Sequence, residues 1–186
     1  MAIIISSELT GYIWDVQSYS DRLISITLVY AIPISFISAY MYTAAANSED
    51  KNKCYKHLKE IQTKLRKTGP TYTGGDFNAR VQTKQTDNEN CIGTHTFDNN
   101  NINLMQQDEG VVENRSMFIS HCNLTNTIAV NTFFQKPENK KPTFRNCTTT
   151  HGPPWTRNNL YETLDYILAQ NRWKTQLKTQ KQIPNS

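Results

Sequence analysis

No charged residue occurs between Leu23 and Ser48, and this uncharged stretch constrains the fold more than any other feature of the chain. It is long enough to cross a bilayer as one helix, so its internal pattern has to decide between lipid and a protein core. Ile24, Ile26 and Leu28 alternate with Ser25, Thr27 and Val29, Pro33 interrupts, and a second β-branched run over 34–39 carries Ser35 and Ser38. A period of two, β-branched residues and a central proline describe two buried strands joined at the proline.

Composition agrees with a folded, non-membrane reading. A chain of 186 residues can build one domain with a sizeable core but not two. Hydrophobic content of 37% is too high for a disordered chain, while 19% charged residues and a mean hydropathy of -0.62 exclude an integral membrane bundle. Lys and Arg (20) exceed Asp and Glu (16), for a net charge of +4, which permits a polyanionic partner without requiring one. The cysteines Cys54, Cys91, Cys122 and Cys147 are scattered with no CxxC pair, and the apolar run Ala2 to Ile5 is too short for a signal peptide. Free thiols in a reducing compartment are expected, and with them an intracellular location, nuclear or cytoplasmic. Cys147 and His151 have a spacing zinc can use, but no second close ligand pair accompanies them.

After residue 42 the period changes. Asn47 or Ser48 is a helix N-cap, Glu49 and Asp50 fill the first turn, and Cys54, Leu58, Ile61 and Leu65 recur at helical spacing until Gly69-Pro70. A short strand over 71–73 leads into Gly74-Gly75-Asp76-Phe77-Asn78, and the asparagine-rich stretch 81–108 reads as surface loop. A second helix is expected over 113–122, a strand over 128–134, a lysine-rich turn over 136–141, a strand around 143–145, a polar loop over 146–161 and a strand over 164–168. Strands separated by two helices, with buried runs rather than clean alternation, imply α/β layers.

The chemistry concentrates where the strand ends in two glycines. There the backbone can turn sharply and be approached closely, and Asp76 and Asn78, two apart, project the same way. A carboxylate beside a carboxamide suits a phosphate reaction: the acid can hold Mg²⁺ or a water, and the neutral amide donates to a phosphoryl oxygen without adding repulsion. Asp-x-Asn alone also reads as a plain turn after a strand.

Six segments occur together and in order: Asp21-Arg22-Leu23-Ile24-Ser25, Ile37-Ser38-Ala39-Tyr40, Gly74-Gly75-Asp76-Phe77-Asn78-Ala79-Arg80, Asn131-Thr132-Phe133-Phe134, Pro142-Thr143-Phe144-Arg145 and Leu164-Asp165-Tyr166-Ile167-Leu168. In them the chain resembles the endonuclease/exonuclease/phosphatase superfamily, and within it the endonuclease domains of non-LTR retrotransposons and their craniofacial development protein 2-like relatives. The resemblance, which runs from about Asp15 to Trp173, implies an α/β fold, a sandwich of two β-sheets flanked by helices, present as a partial domain over residues 1–175 and incomplete at both ends; residues 176–186 read as a polar basic tail. It implies Mg²⁺- or Mn²⁺-dependent hydrolysis of DNA phosphodiesters. Asp76 would position the attacking water or the metal, Asn78 would hydrogen-bond the scissile phosphate, and Tyr40 would donate to it. Asp165 would orient a catalytic histidine, and Phe144 with Arg145 would lie near the bound nucleotide. Taken singly, Tyr40 reads as a core or edge tyrosine of a buried strand, Asp165 can be a turn acid and Phe144 a packing residue.

The departures are as informative. The family's metal-binding glutamate belongs to segments that would precede Met1, and no acid among Glu8, Asp15 and Asp21 stands in a matching context. The family's histidine follows in a Ser-Asp-His element, yet no histidine occurs after His151. His57, His95, His121 and His151 have no sequence reason to face Asp165. An incomplete fold with impaired hydrolysis is therefore expected, with a non-catalytic remnant binding nucleic acid or protein as the alternative. The basic residues Arg145, Arg157, Arg172, Lys174, Lys178 and Lys181 could follow a phosphate backbone or form a solvated tail. Trp155 and Trp173 could stack on bases or anchor loops.

Overall fold

The uncharged stretch folds as the middle of a sheet. A computed structural model describes residues 1–97, 108–145 and 161–174. Within them β1 (Ile13–Ser18), β2 (Leu23–Val29), β3 (Pro33–Tyr40), β4 (Thr71–Asp76), β5 (Thr127–Ala129) and β8 (Asp165–Gln170) form one sheet in the order β1-β2-β3-β4-β8-β5. The short strands β6 (Phe144–Arg145) and β7 (Tyr161–Glu162) pair as a second, two-stranded sheet. Helices α1 (Ser48–Leu65) and α2 (Glu109–Thr125) flank the large sheet. This is the expected α/β class with two sheets and flanking helices, the second sheet being small. No helix among the described residues is long and apolar enough to cross a membrane.

The β2–β3 hairpin is antiparallel and turns just before Pro33. Its buried serines and threonine are tolerated inside because each has a partner: Thr27 and Ser35, opposite each other, share a 2.9 Å hydroxyl hydrogen bond, and Ser25 donates to the Tyr19 hydroxyl at 3.3 Å. The connection from β3 to β4 is parallel and runs through α1, as a crossover between parallel strands requires. Asn47 is the cap, its side chain accepting from Asp50 N at 2.8 Å. From the buried face of α1, Leu58, Ile61 and Leu65 join Leu23, Ile37, Ala39 and Leu168 in the core, and Gln62 donates to Thr73 Oγ1 at 2.9 Å. The centre of that core is aromatic, with Phe118 5.1 Å from Phe77 and 4.8 Å from Tyr166 between ring centroids.

Several expectations need correction. Strand β1 has no counterpart in the sequence reading; it lies at the sheet edge with nearly every side chain exposed, so no burial pattern marks it. Helix α2 starts four residues before the expected 113, at an Asp108 cap that accepts from Gly110 N at 2.9 Å. The strand expected over 128–134 ends at Ala129 and continues as a 3-10 turn, Val130–Phe133. There Thr132 Oγ1 donates to Ala129 O and accepts from Gly93 N, a local side-chain alternative to ladder bonding. The stretch 81–97 is not all surface: Val81, Cys91 and Ile92 are core residues. Arg115 of α2 pulls that segment in, donating from Nε to Val81 O (2.9 Å), from Nη2 to Thr83 O (3.1 Å), and to both oxygens of buried Glu89 (2.7 and 2.6 Å). The possible zinc pair, Trp155, Arg157, His151 and the tail lie outside the described residues.

Candidate functional site

Gly75 sets the geometry. Its φ of 147° suits glycine, and a Cβ there would meet Ala39 O at 1.9 Å, so β4 lies closer to β3 than any side chain permits. A Cβ on Gly74 would meet nothing within 4 Å, so only the second glycine of the pair is sterically required. The strand then ends at Asp76, held on both sides: Met41 N donates to Asp76 O (2.8 Å) and Phe77 N to Leu164 O (2.9 Å).

Register places the acids together. Asp76 stands opposite Tyr40 of β3 on one side and opposite Asp165 of β8 on the other. Residues in register share a face, so Tyr40, Asp76 and Asp165 form one row across the end of the sheet. Tyr40 is 41% exposed and both acids are half-buried. Asn78 closes the turn, its N–H donating to Asp76 Oδ1 at 2.8 Å and its amide Nδ2 to Met41 O at 2.8 Å. It sits in the left-handed region, φ 48°, which asparagine tolerates. Buried Asn114 supports it from α2, Nδ2 donating to both Asn78 O and Tyr42 O at 3.0 Å. One N–H of the Asn78 amide is thus used internally, and an amide has two.

Burial pushes the Asp76 carboxyl above the usual range; the Asn78 N–H pulls it down and the neighbouring Asp165 charge pushes it further up. Residues that the sequence reading left without a role hold the row in place. Asn131 brackets the start of β8, donating to Asp165 O (3.1 Å) and accepting from Ile167 N (3.3 Å), and its place in the Asn131-Thr132-Phe133-Phe134 segment was the available signal. The Tyr166 hydroxyl, buried beneath, donates to Thr163 O at 2.7 Å and accepts from Val81 N at 3.3 Å. Arg22 stands beside Tyr40, whose N–H donates to Arg22 O at 3.0 Å.

The structure therefore brings together Tyr40, Asp76, Asn78 and Asp165. Phe144 and Arg145 lie on the small sheet next to them, joined to the row through Thr143, whose hydroxyl accepts from Leu164 N and Asp165 N (3.0 and 3.1 Å). The Arg145 guanidinium lies 5.9 Å from the centre of the Tyr161 ring. Arg172 covers Trp173, and Lys174 lies over Phe133. Among the described residues no histidine donates to Asp165: His57 packs edge-on to Tyr19, His95 is bonded through its backbone to Thr132 O, and His121 is buried, its pKa pushed down to about 3 by burial and by nearby Arg66 and Lys59.

No protein-family model and no curated protein sequence matches the chain. Solved structures do. A 3′ phosphatase of Neisseria, NExo, bound to product DNA hairpin matches with a TM-score of 0.53 at 14% identity, over 88% of this chain and 60% of that one. The AP endonuclease LMAP from Leishmania major matches with a TM-score of 0.51 at 15% identity, over 85% of this chain and 48% of that one. The 3′-5′ exonuclease NExo from Neisseria meningitidis gives 0.50 and 16%, over 83% and 54%. At these identities the likeness establishes the fold alone, and the chain spans roughly half to three-fifths of each neighbour.

Proposed function

We propose that this chain carries a DNA-directed phosphodiester site of the endonuclease type seen in non-LTR retrotransposons and craniofacial development protein 2-like proteins, with low hydrolytic power in residues 1–186. The observation that carries the reading is the row Tyr40, Asp76, Asp165, set by strand register across the end of one sheet, with Asn78 in the turn just past Asp76: two hydrogen-bond donors for a phosphate beside two carboxylates that can hold a water. The neighbours named as phosphatase, exonuclease and endonuclease support it through fold.

In this reading the Tyr40 phenol and the second N–H of Asn78 donate to the non-bridging oxygens of the phosphate. Asp76 orients the attacking water and accepts its proton, and a carboxyl raised by burial is a stronger base than an ordinary aspartate. The donor set falls short of a protein-built Mg²⁺ or Mn²⁺ centre, since no group of three or more His, Cys, Asp or Glu side chains gathers among the described residues.

A second reading, nucleic-acid binding without turnover, is favoured by one observation: among the described residues no histidine donates to Asp165, so none of them serves it as an acid/base partner. General acid–base transfer contributes roughly 10²–10⁴-fold. The test is nicking of supercoiled plasmid by purified residues 1–186 with Mg²⁺, beside an Asp76→Ala control. Weak or absent nicking with retained DNA binding is expected. Vigorous nicking that Asp76→Ala leaves unchanged would overturn the assignment of Asp76.

A further inference from the structure

The row has a fourth member, and it is a cation. Leu23 of β2 pairs with Ala39 of β3, and one step further Tyr40 N donates to Arg22 O at 3.0 Å. Arg22 therefore stands to Tyr40 as Tyr40 stands to Asp76 and Asp76 to Asp165. The side chain follows the same edge. Its guanidinium lies 3.8 Å from the centre of the Tyr42 ring and 5.1 Å from that of Tyr40, and Nη1 reaches Tyr40 O at 3.4 Å. Nε is buried without a hydrogen-bond partner, 3.8 Å from the exposed Asp21 carboxylate.

An arginine seated between two rings and a backbone carbonyl has lost most of its rotamers before any ligand arrives, and its planar fork presents five donors of which these contacts use few. The position also answers an electrostatic need. Asp76 and Asp165, side by side, repel a phosphate, and a fixed guanidinium two strands from Asp76 and three from Asp165, on the Tyr40 side, offsets that repulsion while giving the ligand a direction across the row. With a side chain 22% exposed, Arg22 is reachable from solvent.

We propose that Arg22 is a substrate-binding residue that takes a backbone phosphate of DNA, with Tyr40 and Tyr42 serving as the platform that aims it. The assignment rests on the phosphodiester reading of the row. It gives the site a polarity: cation at the β2 end, acids at the β8 end, and the phosphate held between them at Tyr40.

The test is binding rather than turnover. Fluorescence anisotropy of a labelled 20-base-pair DNA duplex with the full chain, in EDTA and at a series of salt concentrations, is compared for wild type, Arg22→Met and Arg22→Lys. Methionine keeps the apolar stem against the tyrosines and removes the charge. It is expected to weaken binding about ten-fold at low salt and to lower the slope of log affinity against log salt by about one phosphate contact. Lysine keeps the charge, so its salt slope stays that of wild type, and this arm holds even if the methionine variant folds poorly. An unchanged slope in Arg22→Met, or a slope in Arg22→Lys reduced as far as in Met, would overturn the role of Arg22 while leaving the phosphodiester reading in place. If wild type fails to bind the duplex at all, the phosphodiester reading falls and the assignment with it.

Discussion

Asp76 is the residue at which structure, charge and proposed chemistry meet, and its raised carboxyl makes a prediction of definite sign. A carboxyl whose folded pKa lies above its unfolded value contributes stability at pH below the unfolded value and loses that contribution as pH rises through the folded pKa. Holding Asp76 ionised at neutral pH therefore costs stability, and Asp76→Asn keeps the acceptor for Asn78 N while removing that cost. The variant is expected to melt higher than wild type at pH 7 and at the same temperature near pH 3, as followed by circular dichroism; a variant no more stable at pH 7 would show that the fold does not strain this acid. The adjacent glycines give a second contrast. Gly75→Ala meets Ala39 O and a φ that side chains avoid, whereas Gly74→Ala enters open space. We expect Gly75→Ala to lower the melting temperature markedly and Gly74→Ala to leave it within a degree or two; equal effects would contradict the close approach of β4 to β3. The Gly-Gly-Asp-x-Asn string was legible as a tight strand end, but which glycine mattered was not, because that depends on where Ala39 lies across the sheet.

At the scale of elements, Arg115 and Glu89 show what the sequence conceals. The hairpin β2–β3 and the helix α1 were readable because their signals are local: alternation, a proline, a cap and a helical stripe. Residues 81–92 were not, because what buries them is a guanidinium that arrives from α2, far along the chain, and supplies the acceptors of a polar segment with partners. The same holds for β1, which pairs with β2 yet buries almost nothing. Removing one partner of a buried, hydrogen-bonded ion pair costs about 3–5 kcal/mol. Arg115→Ala is accordingly expected to destabilise the chain by about 3 kcal/mol and to release the amides of 81–92 to hydrogen exchange. Protection there equal to wild type would mean that the apolar contacts of Val81 and Ile92 suffice alone. Asn114, one residue earlier on the same helix, reaches Asn78, so α2 supports both the segment and the site.

For the molecule as a whole, the two faces of the large sheet differ. The face bearing Ile37, Ala39, Thr73 and Leu168 is covered by α1 and α2, whereas the face bearing Phe36 (38% exposed), Ile167 (51%) and Val16 (57%) is largely open. A groove of about 560 Å³ lies on it, lined by Ala2, Ile3, Phe36, Tyr72 and Ile167 among others. Exposed apolar surface of this extent promotes association, so Ile167→Lys is expected to raise the concentration at which the chain stays monomeric, by light scattering, without lowering its melting temperature; a fall in stability would show that Ile167 is packed in solution. The row of site residues lies at the end of this open face, where the proposed phosphodiester would sit. The direct measurement is amide chemical-shift mapping of the isotope-labelled chain titrated with a short DNA oligonucleotide in EDTA. Perturbations are expected to centre on Tyr40, Asp76, Phe77, Asn78 and Asp165, with Arg22 and Tyr42 at the margin. Perturbations confined to the outer surfaces of α1 and α2, or none at saturating oligonucleotide, would contradict it.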